Sequence, residues 1–163
     1  ILGILAATAA LRFIDIQKDA TASTLKGVEA ALQGGAQLVY AKSAITGDQR
    51  VEDSSISTGG QTVPTSYGYP AADAGAGAGG AGAATIINLA GWVNISTDFT
   101  FVEGTTTGST SAPVAGTFGL SPVNGNTLDY TKKLLTDNSG HVLYTESSDV
   151  DVNPLVTVIT GGC

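Results

Sequence analysis

The residues able to do chemistry are few, and their spacing is poor for it. His141 is the single histidine, the side chain best suited to general base work near neutral pH. Serines, threonines and aspartates are plentiful, so composition alone leaves a Ser-His-Asp set open. No serine lies in a nucleophile-elbow motif, however, and His141 opens a strand-like run after a turn. The chain is therefore expected not to be an enzyme. Asp149-Val150-Asp151-Val152-Asn153 places oxygen ligands at alternate positions, like the first half of a calcium loop. It lacks the glycine and the distal glutamate that complete one, and Pro154 follows. A strand edge with carboxylates facing water is the plainer reading, and calcium on Asp149, Asp151 and Asn153 is the alternative. The AGAGAGGAGA run within 71–84 lacks the Lys-Ser/Thr ending of a phosphate loop and follows no strand. Asn94-Ile95-Ser96 fits a glycosylation sequon, and Thr105, Thr106 and Thr107 lie in a Thr/Ser cluster that is a candidate for O-linked sugar or a plain solvated loop. The tyrosines are scattered and outline no aromatic path for electrons. No cofactor is expected.

Composition narrows the classes further. Only 13% of the 163 residues are charged, against roughly 25% in an average soluble domain. The chain is long enough for one domain with a core. A formal net charge of −7 opposes nucleic-acid binding, which needs a basic face; the sole adjacent basic pair, Lys132-Lys133, reads as a solvated turn. A sparsely charged chain rich in glycine, serine and threonine suits β-structure and extracellular surfaces. Its one cysteine, Cys163, has no partner for an internal disulfide.

The element that must position everything else is a helix over Ile1–Thr46. Ile1 to Leu11 (ILGILAATAAL) holds no charge and is apolar all round, with small alanines that allow close helix packing. It is too short to cross a bilayer by itself, which takes about 20 apolar residues, and an apolar run met in mid-course predicts more of it upstream. From Arg12 the helix turns amphipathic. Phe13, Ile14, Leu25, Val28, Leu32, Ala36 and Val39 recur at helical spacing, the stripe of a helix that lies on a sheet. Gly34-Gly35 marks a soft spot or a tight contact, and Gly47 a C-terminal stop. At 1.5 Å per residue the helix reaches roughly 70 Å, so its first part must protrude.

The organisation predicted downstream is a protruding apolar half at 1–12 and a head at 13–163. The head comprises the amphipathic half 13–46, a connecting region 47–92 and a β-region 93–163. Residues 47–70 read as an irregular excursion anchored by Val51 and Ile56. A short weak helix is expected over about 76–90, with Ile86, Ile87, Leu89 and Trp92 as anchors and the Trp92 ring set against the long helix. Strands are expected at 94–103, 114–120, 128–135, 141–146 and 155–160, with turns at Asn124-Gly125 and at 137–140. One helix followed by an antiparallel meander makes an α+β fold, a single sheet packed on a single long helix.

ILGILAATAALRFIDIQKDA resembles the N-terminal helix of type IV pilins. LVYAKSAI at 38–45, GYPAAD at 68–73, HVLYT at 141–145 and VTVITGGC at 156–163 are most similar to major pilins of the mannose-sensitive haemagglutinin (MSHA) type, so the resemblance spans the chain. It implies the type IV pilin fold. It also implies a subunit that polymerises through Ile1, Leu2, Gly3, Ile4, Leu5, Ala6, Ala7 and Leu11 in a filament core, with Phe13, Ile14, Leu25, Val28, Leu32, Val39 and Trp92 joining helix to sheet. The implied partners are identical subunits, an inner-membrane assembly machinery and a prepilin peptidase; nucleic acid is not among them. The implied location is a pilus filament outside the bacterial cell, with the subunit in the inner membrane before assembly. Adhesion, biofilm formation and motility would follow. The sequence departs from the family in lacking its methylated Phe and nearby Glu. Leu11 stands where Pro is usual, which predicts a straight helix there. Gly140 stands where the resemblance implies the partner of Cys163. A pseudopilin of type II secretion, with bound calcium, is the alternative within the same fold, and a monomeric membrane-anchored binding module is the other.

Overall fold

The computed structural model describes residues 2–72, 89–104, 108–109, 112–123, 130 and 140–161, with the side chains of 2–12, 14 and 15 left aside. Helix α1 runs unbroken over Leu2–Thr46, 45 residues, or about 68 Å. It ends where the sequence requires. Gly47 takes φ 87°, and the Asp48 N–H donates to the Ser43 carbonyl at 2.9 Å, the six-residue closure of a Schellman motif.

The buried face of α1 carries Leu25, Val28, Leu32, Ala36, Val39 and Ser43, all under 9% exposed and spaced by three or four. Leu25, Val28, Leu32 and Ala36 share one core with Phe118, Leu120, Val142, Tyr144 and Val158. Val39 packs in a second cluster with Ile56 and Val63. Phe13 breaks the expectation: it is 62% exposed, because among the described side chains of the helix the first one buried is Leu25, three turns later. The side chain of Ile14 falls outside the described residues.

Residues 54–70, expected to be irregular, form a sheet. β1 (Ser54–Thr58), β2 (Gln61–Ser66) and β3 (Tyr69–Pro70) pair in that order, all antiparallel. Two tight turns make this possible. Gly59 and Gly60 both take positive φ, 57° and 77°, and Tyr67 and Gly68 take 49° and 85°, the backbone of two-residue hairpins whose twist matches that of the strands. Pro64 is tolerated inside β2 because it faces Ser55 at a non-hydrogen-bonded pair, and its carbonyl accepts from the Ala71 N–H at 3.0 Å. Ile56 anchors this sheet, whereas Val51, expected to do the same, is 44% exposed.

β4 (Phe99–Glu103), β5 (Thr117–Pro122), β6 (His141–Thr145) and β7 (Leu155–Ile159) form the second sheet, an antiparallel meander in chain order. Thus two sheets pack on the helix, not one. The strand expected from Asn94 begins only at Phe99, and the one expected from Val114 begins at Thr117. The strand expected at 128–135, the turn at Asn124-Gly125 and the helix expected over 76–88 lie outside the described residues. Leu89 begins a single helical turn, with the Val93 N–H donating to its carbonyl at 2.9 Å. One face of β5 and β6 meets α1 through Phe118, Leu120, Val142 and Tyr144. The other is covered by Tyr130, whose ring sits so close over Gly119 that a β-carbon there would collide with its Cε1.

The aromatic residues, scattered in sequence, are gathered by the fold. Tyr40 stacks on Tyr69 at 4.4 Å between centroids. Tyr144 meets Phe118 at 4.8 Å and Trp92 at 5.7 Å, and Phe118 meets Phe101 at 5.2 Å. Hydrogen bonds tie the first sheet to the end of the second: the Tyr144 hydroxyl donates to the Pro70 carbonyl at 2.8 Å and the Ser66 hydroxyl to the Ser147 carbonyl at 3.0 Å.

Candidate functional site

The long helix remains the candidate, and its two faces differ in kind. Inward, Gly35 is pressed against Trp92: a β-carbon at Gly35 would lie 2.7 Å from both the Trp92 ring and the Trp92 carbonyl oxygen. Only glycine lets the half-buried Trp92 seat there. Outward, its neighbour Gly34 meets nothing: a β-carbon at Gly34, or at Gly27, finds no atom within 4 Å. Each of these exposed glycines costs the helix about 0.5–1 kcal/mol relative to alanine, and the head returns nothing for it. Leu38 and Ile45 stand on the same outer face, 73% and 85% exposed. This face was the residue set missed from sequence. Its signal in the sequence is a seven-residue recurrence of small residues, masked by the adjacent stripe of larger ones.

Towards its N-terminus α1 leaves the head. Phe13 and Ile16 are 62% and 65% exposed, and residues 17–20 are exposed throughout. From Leu25 back to Leu2 the helix extends about 35 Å. Of the proposed filament-core residues, Leu2, Gly3, Ile4, Leu5, Ala6, Ala7 and Leu11 lie on this extension, with side chains outside those described, and Ile1 lies outside the described residues. Among the described residues no helix is long and apolar enough to cross a membrane.

The candidates for chemistry do not converge. His141 is fully buried, edge-on to Tyr130 at 5.1 Å between centroids, within the back of the sheet and away from Asp149 and Asp151. The strand edge expected over 149–153 is a turn instead. The Val152 N–H donates to the Asp149 carbonyl at 3.3 Å, and Asp151 takes a left-handed φ of 65°. Two of the oxygens proposed for calcium accept hydrogen bonds within the chain: Asp149 Oδ1 from the Val150 N–H at 2.7 Å and Asn153 Oδ1 from the Tyr69 hydroxyl at 2.7 Å. Among the described residues, no group of three or more His, Cys, Asp or Glu side chains is placed to hold a metal ion. Asn94 is exposed, as a glycan acceptor must be; Thr105, Thr106, Thr107 and Cys163 lie outside the described residues.

Four tyrosine hydroxyls are perturbed by their surroundings. Burial raises the Tyr144 hydroxyl well above its usual range, with Glu146 adding to it. Burial also raises Tyr69 and Tyr130. Tyr67 is raised by desolvation and then by the carboxylates of Glu52, Asp149 and Asp53. A groove of about 430 Å³ runs between α1 and the approach to β7, lined by Gln33, Gln37, Asn153, Pro154 and Val156; these side chains are uncharged and offer no nucleophile. The arrangement is suited to packing against other surfaces. Comparisons of the chain with protein-family models, with curated proteins and with solved structures find no match.

Proposed function

We propose that this chain is the structural subunit of an extracellular filament of the type IV pilus kind, closest to MSHA-type major pilins. The observation that carries the reading is the division of one continuous helix. Its C-terminal half is buried on two sheets, while its N-terminal half runs out past exposed Phe13 and Ile16 towards the charge-free Ile1–Leu11. An apolar rod held clear of its own head is unfavourable in water, at about 25 cal/mol per Å² of apolar surface. The cost vanishes when identical rods bury one another. Contacts between unlike surfaces of identical subunits do not close on themselves, and so they build a fibre. Before assembly the same segment rests in the inner membrane, where the assembly machinery and prepilin peptidase of such systems act. Adhesion and biofilm formation are the functions such a fibre serves, and motility follows if it retracts.

Electron microscopy of the purified protein tests this. The expected result is a thin helical filament with α1 at its centre, continuous through residue 11 in the absence of a proline. Material that stays particulate under every assembly condition sinks the reading, as does a map with the helix on the outside.

A further inference from the structure

The four-stranded sheet ends in two edges, β4 and β7, and its hydrogen bonds show what each edge leaves open. The Val123 N–H donates to the Asp98 carbonyl at 2.8 Å, in register with the β4–β5 ladder. Alternation then turns the backbone groups of Thr100 and Val102 towards β5, and those of Phe99, Phe101 and Glu103 outwards. The Glu146 N–H donates to the Gly116 carbonyl at 3.0 Å, in register with the β5–β6 ladder. Val142 and Tyr144 therefore face β5, and His141, Leu143 and Thr145 face β7. By the same alternation Val156 and Val158 point their backbone groups away from β6. Among the described residues, the one bond seen to these outward groups is from the Phe99 N–H to the Ser96 carbonyl at 3.2 Å. Neither edge is blunted. β7 reads LVTVI, with no charge, proline or glycine, and β4 reads FTFVE; edges are commonly protected by charge, proline or a bulge. The first sheet has such protection, because Lys42 of α1 donates to the Ser57 carbonyl on the edge strand β1.

We infer that β4 of one subunit adds to β7 of the next, so that the sheet continues from copy to copy. Open main-chain edges are satisfied by a strand, and the fit of the two edges selects a second copy as its source. The four strands alternate in direction, so β4 and β7 run antiparallel. A neighbour in the same orientation then presents β4 antiparallel to β7. Outward backbone groups must meet outward ones, which leaves few registers, and pairing Phe101 with Val156 suits the side chains best. On the face towards α1, Phe101 meets Val156 and Phe99 meets Val158, aromatic on β-branched. On the other face Thr100 meets Thr157, and Val102 meets the exposed Leu155. Pro154, which has no N–H to offer, meets Glu103 and needs only to accept. Shifting by two residues sets Glu103 on buried Val156 in one direction, and in the other leaves Val158 facing Thr97, outside β4. Phe101 is half-buried against Phe118 in its own subunit. Its open side enters the groove of about 430 Å³, between Val156 and the small Ala30 and Gly34 of α1. Pairing β7 with another β7 would instead bring two long helices to one seam, since α1 lies against β6 and β7, and the groove has no room for a second rod about 10 Å across.

The contact is small. Its paired residues span about 13 Å of strand and bury far less than the ~1,000 Å² of an independent interface. It forms where a shared helix core already holds subunits side by side at high effective concentration, and so it rests on the filament reading. Joining two different edges of identical subunits does not close on itself, which matches a fibre and not a dimer.

The test uses filaments of the full chain carrying Thr100→Cys, Thr157→Cys and Cys163→Ser. Across the seam these two positions form a non-hydrogen-bonded pair with Cα atoms about 4.5 Å apart, within disulfide range. Within one subunit they lie on opposite edges of the sheet, about 14 Å apart, too far to bridge. Mild oxidation should give a ladder of covalent dimers, trimers and longer chains on a denaturing gel, and either cysteine alone should give monomer. Thr100→Lys with Thr157→Lys should raise the critical concentration for assembly about fivefold, and Thr100→Lys with Thr157→Glu should restore it, with the thermal midpoint of the subunit unchanged in both. Filaments whose cysteine pair stays monomeric, covalent dimers from Thr157→Cys alone, or equal assembly of the two charged pairs overturns the inference and leaves the filament proposal standing. A parent chain that forms no filament under any condition sinks both.

Discussion

Gly34 and Gly35 are neighbours in sequence and opposites in the fold. Gly35 is small because Trp92 fills the space a side chain would need; Gly34 is small with open space before it. The same contrast runs along the helix, with Leu32 wholly buried and Leu38 73% exposed. One face is accounted for by the chain's own sheets. The other keeps apolar and helix-weakening residues that its own fold does not explain. The lesson is that an unexplained glycine on a helix is informative only after the inward contacts have been subtracted.

The largest effects should separate these faces. Leu32→Ala removes a side chain from the core shared with Phe118 and Tyr144 and should cost about 2–5 kcal/mol, while Leu38→Ala should stay within about 0.5 kcal/mol in the monomer. Chemical denaturation of both decides; equal losses would mean that the outer face is covered within the monomer. Next, Gly35→Ala should destabilise by about 1–3 kcal/mol, because the Trp92 carbonyl cannot rotate away as a ring can. Gly34→Ala should instead stabilise by about 0.5–1 kcal/mol. Opposite signs at adjacent positions sharpen the comparison, and like signs break it.

The smallest effect concerns pH and belongs to the inner face alone. Burial keeps the Tyr144 phenol neutral and raises its pKa in the folded state. Its contribution is thus complete below the unfolded value of about 10 and is lost as pH rises through the folded value. Tyr144→Phe should lose about 1 kcal/mol at pH 7, where the bond to Pro70 is missed. It should also unfold less steeply with pH above about 10 than the parent chain. An unchanged alkaline slope would mean that Tyr144 does not titrate with unfolding.

Much of the fold was legible because it is written locally. Helical spacing from Leu25 to Val39, Gly47 as a stop, and the runs HVLYT and LVTVI all declare themselves over a few residues, and the structure places elements there. The β1–β2–β3 sheet was hidden because Gly59-Gly60 and Pro64 resemble loop composition. Their roles depend on a two-residue turn and on which side of β2 lacks a partner, facts of pairing and not of content. The aromatic cluster was hidden for a related reason: Tyr40, Tyr69, Trp92, Phe118 and Tyr144 lie far apart in sequence and meet only across elements.

The sequence by itself determined that there is one long helix, apolar and uncharged at its start, followed by strands that pair in order. Periodicity and caps are short-range, and short-range order survives without knowledge of partners. The tertiary structure alone decided where that helix leaves the head, so that Phe13 is exposed while Leu25 is not. It alone decided that of two adjacent glycines one is pressed by Trp92 and the other open. Periodicity says which residues share a face; which face is covered depends on surfaces that the rest of the chain brings from far away.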